Sequence, residues 1–318
     1  MIKNNEPGEE LAIIEYIRSR FPQRHPDIIK GIGDDAMVLR NGYVISTDSF
    51  IETVHFNMQY FNYKMLGYRT MGASLSDLAA MAAQPVAALV SLQLPSKVKS
   101  GDIKAIYDGF SELSRKYRFD IAGGDIVQSP CLGITITVIG RSREPLLRSG
   151  ARPGQYLYVT NFLGLAEVGR KVLAQRLSKS RFETAISRHC FPEPRFAEVQ
   201  AFRKYASACI DTSDGLSTDT YHMMRESRVK IIIDTNHVPI HSEVGAYCQD
   251  HNIDPLTFIL AAGEDFELLF SARQLPGTIK YPIFQIGRIM RGKGLFILHD
   301  GHESALEPSG YEHLRFPK

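Results

Sequence analysis

Aspartates recur in this chain beside glycine or hydroxyl residues, most of them just after a short apolar run. They stand in Gly31-Ile-Gly-Asp34-Asp35, Ser46-Thr47-Asp48, Gly123-Gly124-Asp125, Asp211-Thr-Ser213-Asp214-Gly215 and Gly263-Glu264-Asp265. Asp77 adds a carboxylate inside the small apolar segment Leu75-Ser-Asp-Leu-Ala-Ala-Met81. Any one of these is ordinary turn or helix-start chemistry. Together their oxygens suit a hard divalent cation such as magnesium, which takes carboxylate, hydroxyl and water ligands and commonly bridges to phosphates. Asp77 would be costly to bury without a partner, and Asp35 beside Asp34 adds a repulsion that a cation relieves. The sequence has no His or Cys cluster beside them, which disfavours zinc and copper. Gly123-Gly124 would let backbone N–H groups approach a phosphate as an anion nest. The GxxxxGK[ST] and GxGxxG loops and the HRD and DFG pair are absent from the sequence, as are G-x-S-x-G and HExxH.

Apolar spacings of three and four predict helices over 9–21, 64–83 and 103–117, with Pro85 stopping the second. Residues 43–45 and 86–94 read as strands, and strict alternation over 132–138 reads as a strand with one buried face. The segment 141–154, rich in arginine, proline and glycine, marks a boundary between a domain over 1–145 and another over 146–318. The second half predicts strands at 156–160, 208–210, 229–233, 267–270, 283–286 and 295–298, with helices at 165–177 and 242–251. Strands and helices mix without regular βαβ repetition, which predicts an α+β fold.

Bulk properties narrow the partners. A chain of 318 residues, 44% hydrophobic and 23% charged, reads as an ordinary globular protein. With 37 basic against 35 acidic residues, it offers no broad electrostatic reason to expect nucleic acid or a membrane surface. The four cysteines are widely spaced without a CxxC pair, so reduced thiols are expected rather than a zinc site or disulfides. Neither a signal-peptide pattern nor a membrane-length apolar run is evident, and a cytoplasmic location is expected.

Taken in order, seven motifs resemble those of the thiamine-monophosphate kinase family, within the aminoimidazole ribonucleotide synthetase superfamily. They are Gly31-Ile-Gly-Asp-Asp-Ala36, Ser46-Thr-Asp48 with His55-Phe56, Ser74-Leu-Ser-Asp-Leu-Ala-Ala-Met81, Gly123-Gly-Asp125, Arg148-Ser-Gly-Ala151, Ile210-Asp-Thr-Ser-Asp-Gly-Leu216 and Gly263-Glu-Asp-Phe-Glu-Leu-Leu269. The resemblance implies an N-terminal α/β domain (1–145) that binds ATP and metal and dimerises through a β-barrel. It implies a C-terminal mixed α+β domain (146–318) that completes the phosphate and substrate sites. The implied reaction is ATP-dependent phosphorylation of thiamine monophosphate to thiamine diphosphate, by direct in-line transfer assisted by several Mg2+ ions, in a homodimer.

By position the resemblance implies metal ligands at Asp34, Asp35, Ser46, Thr47, Asp48, Asp77, Asp125, Asp211 and Asp214. It implies ATP contacts at Tyr107, Gly124, Asp125, Arg148 and Ser213, and substrate contacts at His55, Glu264 and Tyr311. No acid–base catalyst is expected, because the oxygen of a phosphate monoester is already anionic. The family usually has Gly where Ala82 stands and commonly Thr where Ile126 stands. A methyl at Ala82 is expected to fit within a helix, and Ile126 to remove a hydroxyl near the phosphates. One alternative is another ATP-dependent enzyme of the superfamily, disfavoured by the His55 and Gly-Glu264-Asp-Phe motifs. A second is a non-catalytic nucleotide or metal sensor, disfavoured by the full set of carboxylates.

Overall fold

A computed structural model of the chain describes residues 9–311 and residue 313. Its first half runs α1 (Glu9–Arg20), β1 (Ile28–Lys30), β2 (Met37–Leu39), β3 (Tyr43–Ile51), α2 (Tyr63–Ala80), β4 (Gln84–Leu94), α3 (Ser100–Tyr117), β5 (Asp120–Gln128) and β6 (Gly133–Arg141). The second half continues with β7 (Tyr156–Thr160), α4 (Leu165–Gln175), α5 (Glu183–Cys190), α6 (Phe196–Phe202), β8 (Ala206–Asp211) and α7 (Leu216–Ser227). It ends with β9 (Lys230–Asp234), α8 (Ser242–Asp250), α9 (Pro255–Ala261), β10 (Leu268–Ala272), β11 (Ile283–Met290), β12 (Gly294–His299) and β13 (His302–Ala305).

Among the described residues the strands form two sheets. One is six-stranded, ordered β1-β2-β3-β6-β4-β5, and the other is seven-stranded, ordered β13-β12-β9-β11-β7-β10-β8. The mixed α+β composition agrees with the sequence reading, although β4, α3 and β5 make one parallel βαβ unit. Alternation places Ile134, Ile136 and Val138 of β6 in the core, while Thr135 and Thr137 turn outward to pair with Ser49 and Thr47 of β3. Among the described residues, no helix is long and apolar enough to cross a membrane.

Helix α2 is buried on almost every side. Asn62 caps it by accepting the Met65 N–H at 2.8 Å, and Leu66, Met71, Leu75 and Leu78 are fully buried. Each such side chain contributes about 1.5–3 kcal/mol of burial energy. The helix stops at Ala80, short of the sequence expectation. Ala82 lies beyond it at φ +49°, so its methyl is carried in a left-handed turn that glycine adopts without strain.

Three apolar clusters tie the halves together. The first packs α2, α3 and the six-stranded sheet, and it includes Leu173, Cys190, Phe196 and Phe266 from the second half. The second lies within the second half, and the third joins Ala80 and Ala82 to Phe202, Leu268 and Phe270.

Helices α2 and α3 approach through glycines. A Cβ on Gly67 would stand 2.1 Å from the Ile106 carbonyl oxygen, and one on Gly109 2.2 Å from that of Lys64. Replacing Gly by Ala inside a helix ordinarily adds about 1 kcal/mol of stability. Gly67→Ala is expected to reverse that sign and cost about 1–3 kcal/mol, because backbone must move to admit the methyl. Denaturant titration of the variant checks this, and a stabilised variant would contradict the close crossing.

Candidate active site

A cleft of about 970 Å³ is lined by residues from both halves. Its carboxylates arrive on separate elements. Asp35 comes from the turn between β1 and β2, Asp48 from the middle of β3, Asp77 from α2, Asp211 from the last position of β8, and Asp214 from the turn entering α7. Oxygens of Asp35, Asp77 and Asp211 lie within 4.8 Å of one another. Ser46 donates a hydrogen bond to Asp77, and the Ser76 hydroxyl donates to Asp211 Oδ2 at 2.6 Å. Arg148 Nε donates to Asp35 Oδ1 at 2.9 Å, while Asp35 Oδ2 is buried without a hydrogen-bond partner among the described residues. Crowded hard oxygens with an orphaned buried acceptor fit a divalent cation, so Asp35, Asp48, Asp77, Asp211 and Asp214 with Ser46 can hold one or more.

Burial raises the proton affinity of these groups and mutual repulsion adds to it. Asp35 is pushed up to about 8 by burial, against the pull of Arg148. Asp48 rises to about 6, also through burial, with Ser74 working against it. Asp214 rises to about 7 through burial and then the charge of Asp211. Asp77 is raised well above the carboxylate range by burial and by its neighbours Asp48, Asp211 and Asp35.

Several expected site residues lie elsewhere. Asp34 turns away from the cleft: Oδ1 accepts the Arg148 backbone N–H at 3.1 Å, and Oδ2 faces Lys30 Nζ at 3.3 Å. Oδ1 thereby anchors Arg148, while Oδ2 is buried beside Lys30 without a hydrogen-bond partner among the described residues. Thr47 borders the cleft, but its side chain points to the opposite face of the sheet from Ser46 and Asp48, as strand alternation requires, with its hydroxyl 3.0 Å from that of Thr137. Asp48, read as following a strand, sits inside one, because β3 continues to Ile51.

The Gly-Gly-Asp segment is a strand too. Asp48, Ile136, Val90 and Gly124 share one row across the sheet, so Gly124 lies three strand spacings, about 14 Å, from Asp48. Asp125 shares its row with Ser91, Thr135 and Ser49 on the outward face. A Cβ on Gly124 would stand 1.8 Å from the Val90 carbonyl oxygen, so this glycine permits the close approach of β4. Ile126, expected near the phosphates, is 57% exposed on this edge strand. Tyr107 packs edge-on against Phe110 at 5.3 Å and does not line the cleft. Within one chain, Tyr107, Gly124 and Asp125 are therefore not brought to the carboxylates.

Arg148, Ser213, His55, Glu264 and Tyr311 do reach the cleft. The Ile51 N–H donates to His55 Nδ1 at 3.1 Å, which leaves the proton of the neutral ring on Nε2. Burial, then nearby His313, lowers the proton affinity of this imidazole and keeps it neutral. Tyr311 is held by its N–H donating to the Asp214 carbonyl at 3.0 Å, and its ring meets His313 at 4.8 Å. Glu264 is paired with Arg69 Nη2 at 2.6 Å. The rest of its motif is structural: Asp265 accepts the Ala166 N–H at 2.9 Å at the start of α4, and buried Glu267 pairs with Arg195 at 2.5 Å. The sequence reading missed Glu167, Arg170 and His313, which line the same end of the cleft. They carry no local motif, and only tertiary packing gathers them.

Comparison with known proteins places these observations. Residues 33–142 match the family described as AIR synthase related protein, N-terminal domain. The chain is 32% identical over 310 residues to the thiamine-monophosphate kinase of Aquifex aeolicus, covering 96% of this chain and 98% of that one. It is 33% identical to the thiamine-monophosphate kinase of Bacillus subtilis, covering 96% and 100% respectively. A solved structure of AaThiL complexed with AMPPCP and TMP superposes with a TM-score of 0.88 at 29% identity, covering 96% of this chain and 97% of that one.

The crowded carboxylates have a thermodynamic consequence. A group whose pKa is higher in the folded state stabilises the fold fully below its unfolded value, and that contribution is lost as pH rises through the folded value. For Asp48, Asp214 and Asp35 the loss spans the window from about 6 to about 8. Metal-free protein is therefore expected to melt at a lower temperature at pH ~8.5 than at pH ~5.5, and added Mg2+ to restore more at the higher pH. Thermal denaturation at the two pH values checks it; equal Mg2+ effects would contradict the carboxylates as the binding groups.

Proposed function

The chain belongs to the thiamine-monophosphate kinase family, and from that premise we propose that it uses ATP to phosphorylate thiamine monophosphate, giving thiamine diphosphate and ADP. The observation that carries this reading is the single cleft with two unlike ends. One end gathers Asp35, Asp48, Asp77, Asp211 and Asp214 around Arg148, and the other presents His55, Glu264 and Tyr311.

In this reading an oxygen of the acceptor's phosphate bonds to the γ-phosphorus of ATP while the bond to the β–γ bridging oxygen breaks and ADP leaves. That oxygen is already ionised, so no residue needs to take a proton. What the chain supplies is position and charge. Arg148, its backbone fixed by Asp34 and by Ser227, would direct its guanidinium toward phosphate oxygens. Mg2+ ions, when held by the five aspartates and Ser46, would neutralise the phosphates. His55 offers its Nε2–H to the acceptor, and the Tyr311 ring offers a face for stacking. The Ser213 carbonyl accepts the Glu264 N–H at 2.8 Å, which links the two ends of the cleft.

We take 1–145 as the ATP- and metal-binding domain and 146–318 as the domain completing the phosphate and substrate sites. The nucleotide roles of Tyr107, Gly124 and Asp125 rest on the family resemblance and on a homodimer whose outward sheet faces close into a β-barrel. Supporting that assembly, Val86, Leu89 and Val127 are about 40% exposed on β4 and β5.

Purified protein with Mg-ATP and thiamine monophosphate is expected to yield equal amounts of thiamine diphosphate and ADP. ATP binding without turnover would favour the sensor reading instead. Asp77→Asn is expected to lower kcat by about 100-fold or more with the melting curve retained. An unchanged rate would make Asp77 a structural residue.

A further inference from the structure

Arg69 is a charged residue placed where a charge is expensive. It lies on α2 among fully buried Leu66, Met71 and Leu75 and is itself 2% exposed. A buried guanidinium is tolerated only when its donors are used. Here Nη1 donates to the His189 carbonyl oxygen in the last turn of α5, a group without an onward helical partner. Nη2 meets Glu264 Oε1 at 2.6 Å, and the guanidinium lies 5.9 Å from the Phe61 ring centre.

Glu264 is itself held in an uncommon backbone. Its φ is +64° and that of Phe266 is +51°, both in the left-handed region that side chains disfavour. Backbone bonds from Glu264 to Ser213 and from Phe266 to Thr212 hold the segment against α7's entry loop. The carboxylate, 30% exposed, thus lines the cleft with Oε1 used by Arg69 and Oε2 without a partner among the described residues.

We infer that Arg69 is a positioning residue for the phosphate acceptor: it presents Glu264 as a fixed hydrogen-bond acceptor instead of a free negative charge. The inference rests on the acceptor site proposed above. Nearby Arg170 closes a two-pronged pair with Glu167 at 2.6 and 2.7 Å, so Glu264 and Glu167 are each already matched by a guanidinium group. A cationic ring therefore finds the charges of Glu264 and Glu167 already offset. Selection falls on an acceptor that brings an N–H donor to the open oxygen of Glu264, as the amine of an aminopyrimidine does.

Helix α2 also sets the distance between the two ends. Arg69 and Ser76 are seven residues apart, nearly two turns, and so share one stripe about 10.5 Å long. Ser76 reaches Asp211 and Arg69 reaches Glu264, so one rigid rod spaces the metal end from the acceptor end.

The test is a double-mutant cycle of Arg69→Met and Glu264→Gln, with ATP and thiamine monophosphate varied independently. Arg69→Met is expected to raise the acceptor KM about tenfold or more while the ATP KM stays within about twofold and kcat within about threefold. The double variant is expected to be no worse than the worse single one, because both remove the same interaction. Arg69→Lys, which keeps the charge but lacks the fork that reaches both acceptors, is expected to recover part of the loss. Equal rises in both KM values, or multiplying effects, would overturn the inference and leave Arg69 a core support. If Arg69→Met does not fold, the cycle is run with Arg69→Lys, where the acceptor KM is expected to rise about threefold or more with the ATP KM unchanged, and equal rises in both would overturn the inference. Wild-type protein that fails to turn over would overturn the functional reading instead. Calorimetric titration of thiamine monophosphate into wild type and Arg69→Lys still decides the role of Arg69, since equal affinities would remove it.

Discussion

Repulsion among Asp35, Asp48, Asp77, Asp211 and Asp214 is the condition around which the molecule is arranged. Carboxylates this close, partly shielded from water, repel strongly enough to separate any set carried on flexible chain. The fold resists by mounting each on a different rigid piece: a tight turn, a mid-strand position, a buried helix, a strand end and a helix entry. Hydroxyl donors at Ser46 and Ser76 and the guanidinium of Arg148 hold the oxygens in place without cancelling the field. The field is left for something positive to occupy.

Helix α2 is the element that makes this possible. Its burial on almost every side gives it the stiffness to carry Asp77 into the centre, and Arg69 and Ser76 reach from it to the second half of the chain. Asp34, which looked like a ligand, belongs to this support. By holding the Arg148 backbone and facing Lys30, it aims the guanidinium that Asp35 then grips. The carboxylates of the Gly-Glu-Asp-Phe-Glu segment divide in the same way, with Glu264 facing the cleft while Asp265 and Glu267 brace α4 and the core beneath.

Much of the site was legible in sequence because its residues sit in short motifs beside glycines and hydroxyls. Asp35, Asp48, Asp77, Asp211, Asp214, Arg148 and Glu264 were all visible that way. The α2 stripe and the alternation of β6 were equally plain. Faces were harder. Thr47 and Asp125 stand in the same motifs as Asp48 and Gly124, and a period of two sends the side chains of such neighbours to opposite sides of a sheet. Strand β5 escaped notice because Ala-Gly-Gly-Asp has no apolar alternation, its backbone being held by β4 instead. The helices α5, α6 and α9 are only seven or eight residues long, about two turns each. Arg69 was invisible as a site residue because its partner Glu264 is distant in sequence, and Arg170 and Glu167 because only tertiary packing brings α4 to the cleft.

The interleaved apolar clusters bear on how the chain acquires its shape. The core beneath the six-stranded sheet is completed by Leu173, Cys190, Phe196 and Phe266, all made long after the strands they cover. Contacts between residues so far apart close large loops before they are rewarded, which slows folding. A nascent chain that has just finished β6 therefore holds a full sheet covered by α2 and α3, with gaps in its core where Leu173, Cys190, Phe196 and Phe266 have yet to arrive. Such a species is prone to self-association, so the step most exposed to aggregation falls midway through synthesis.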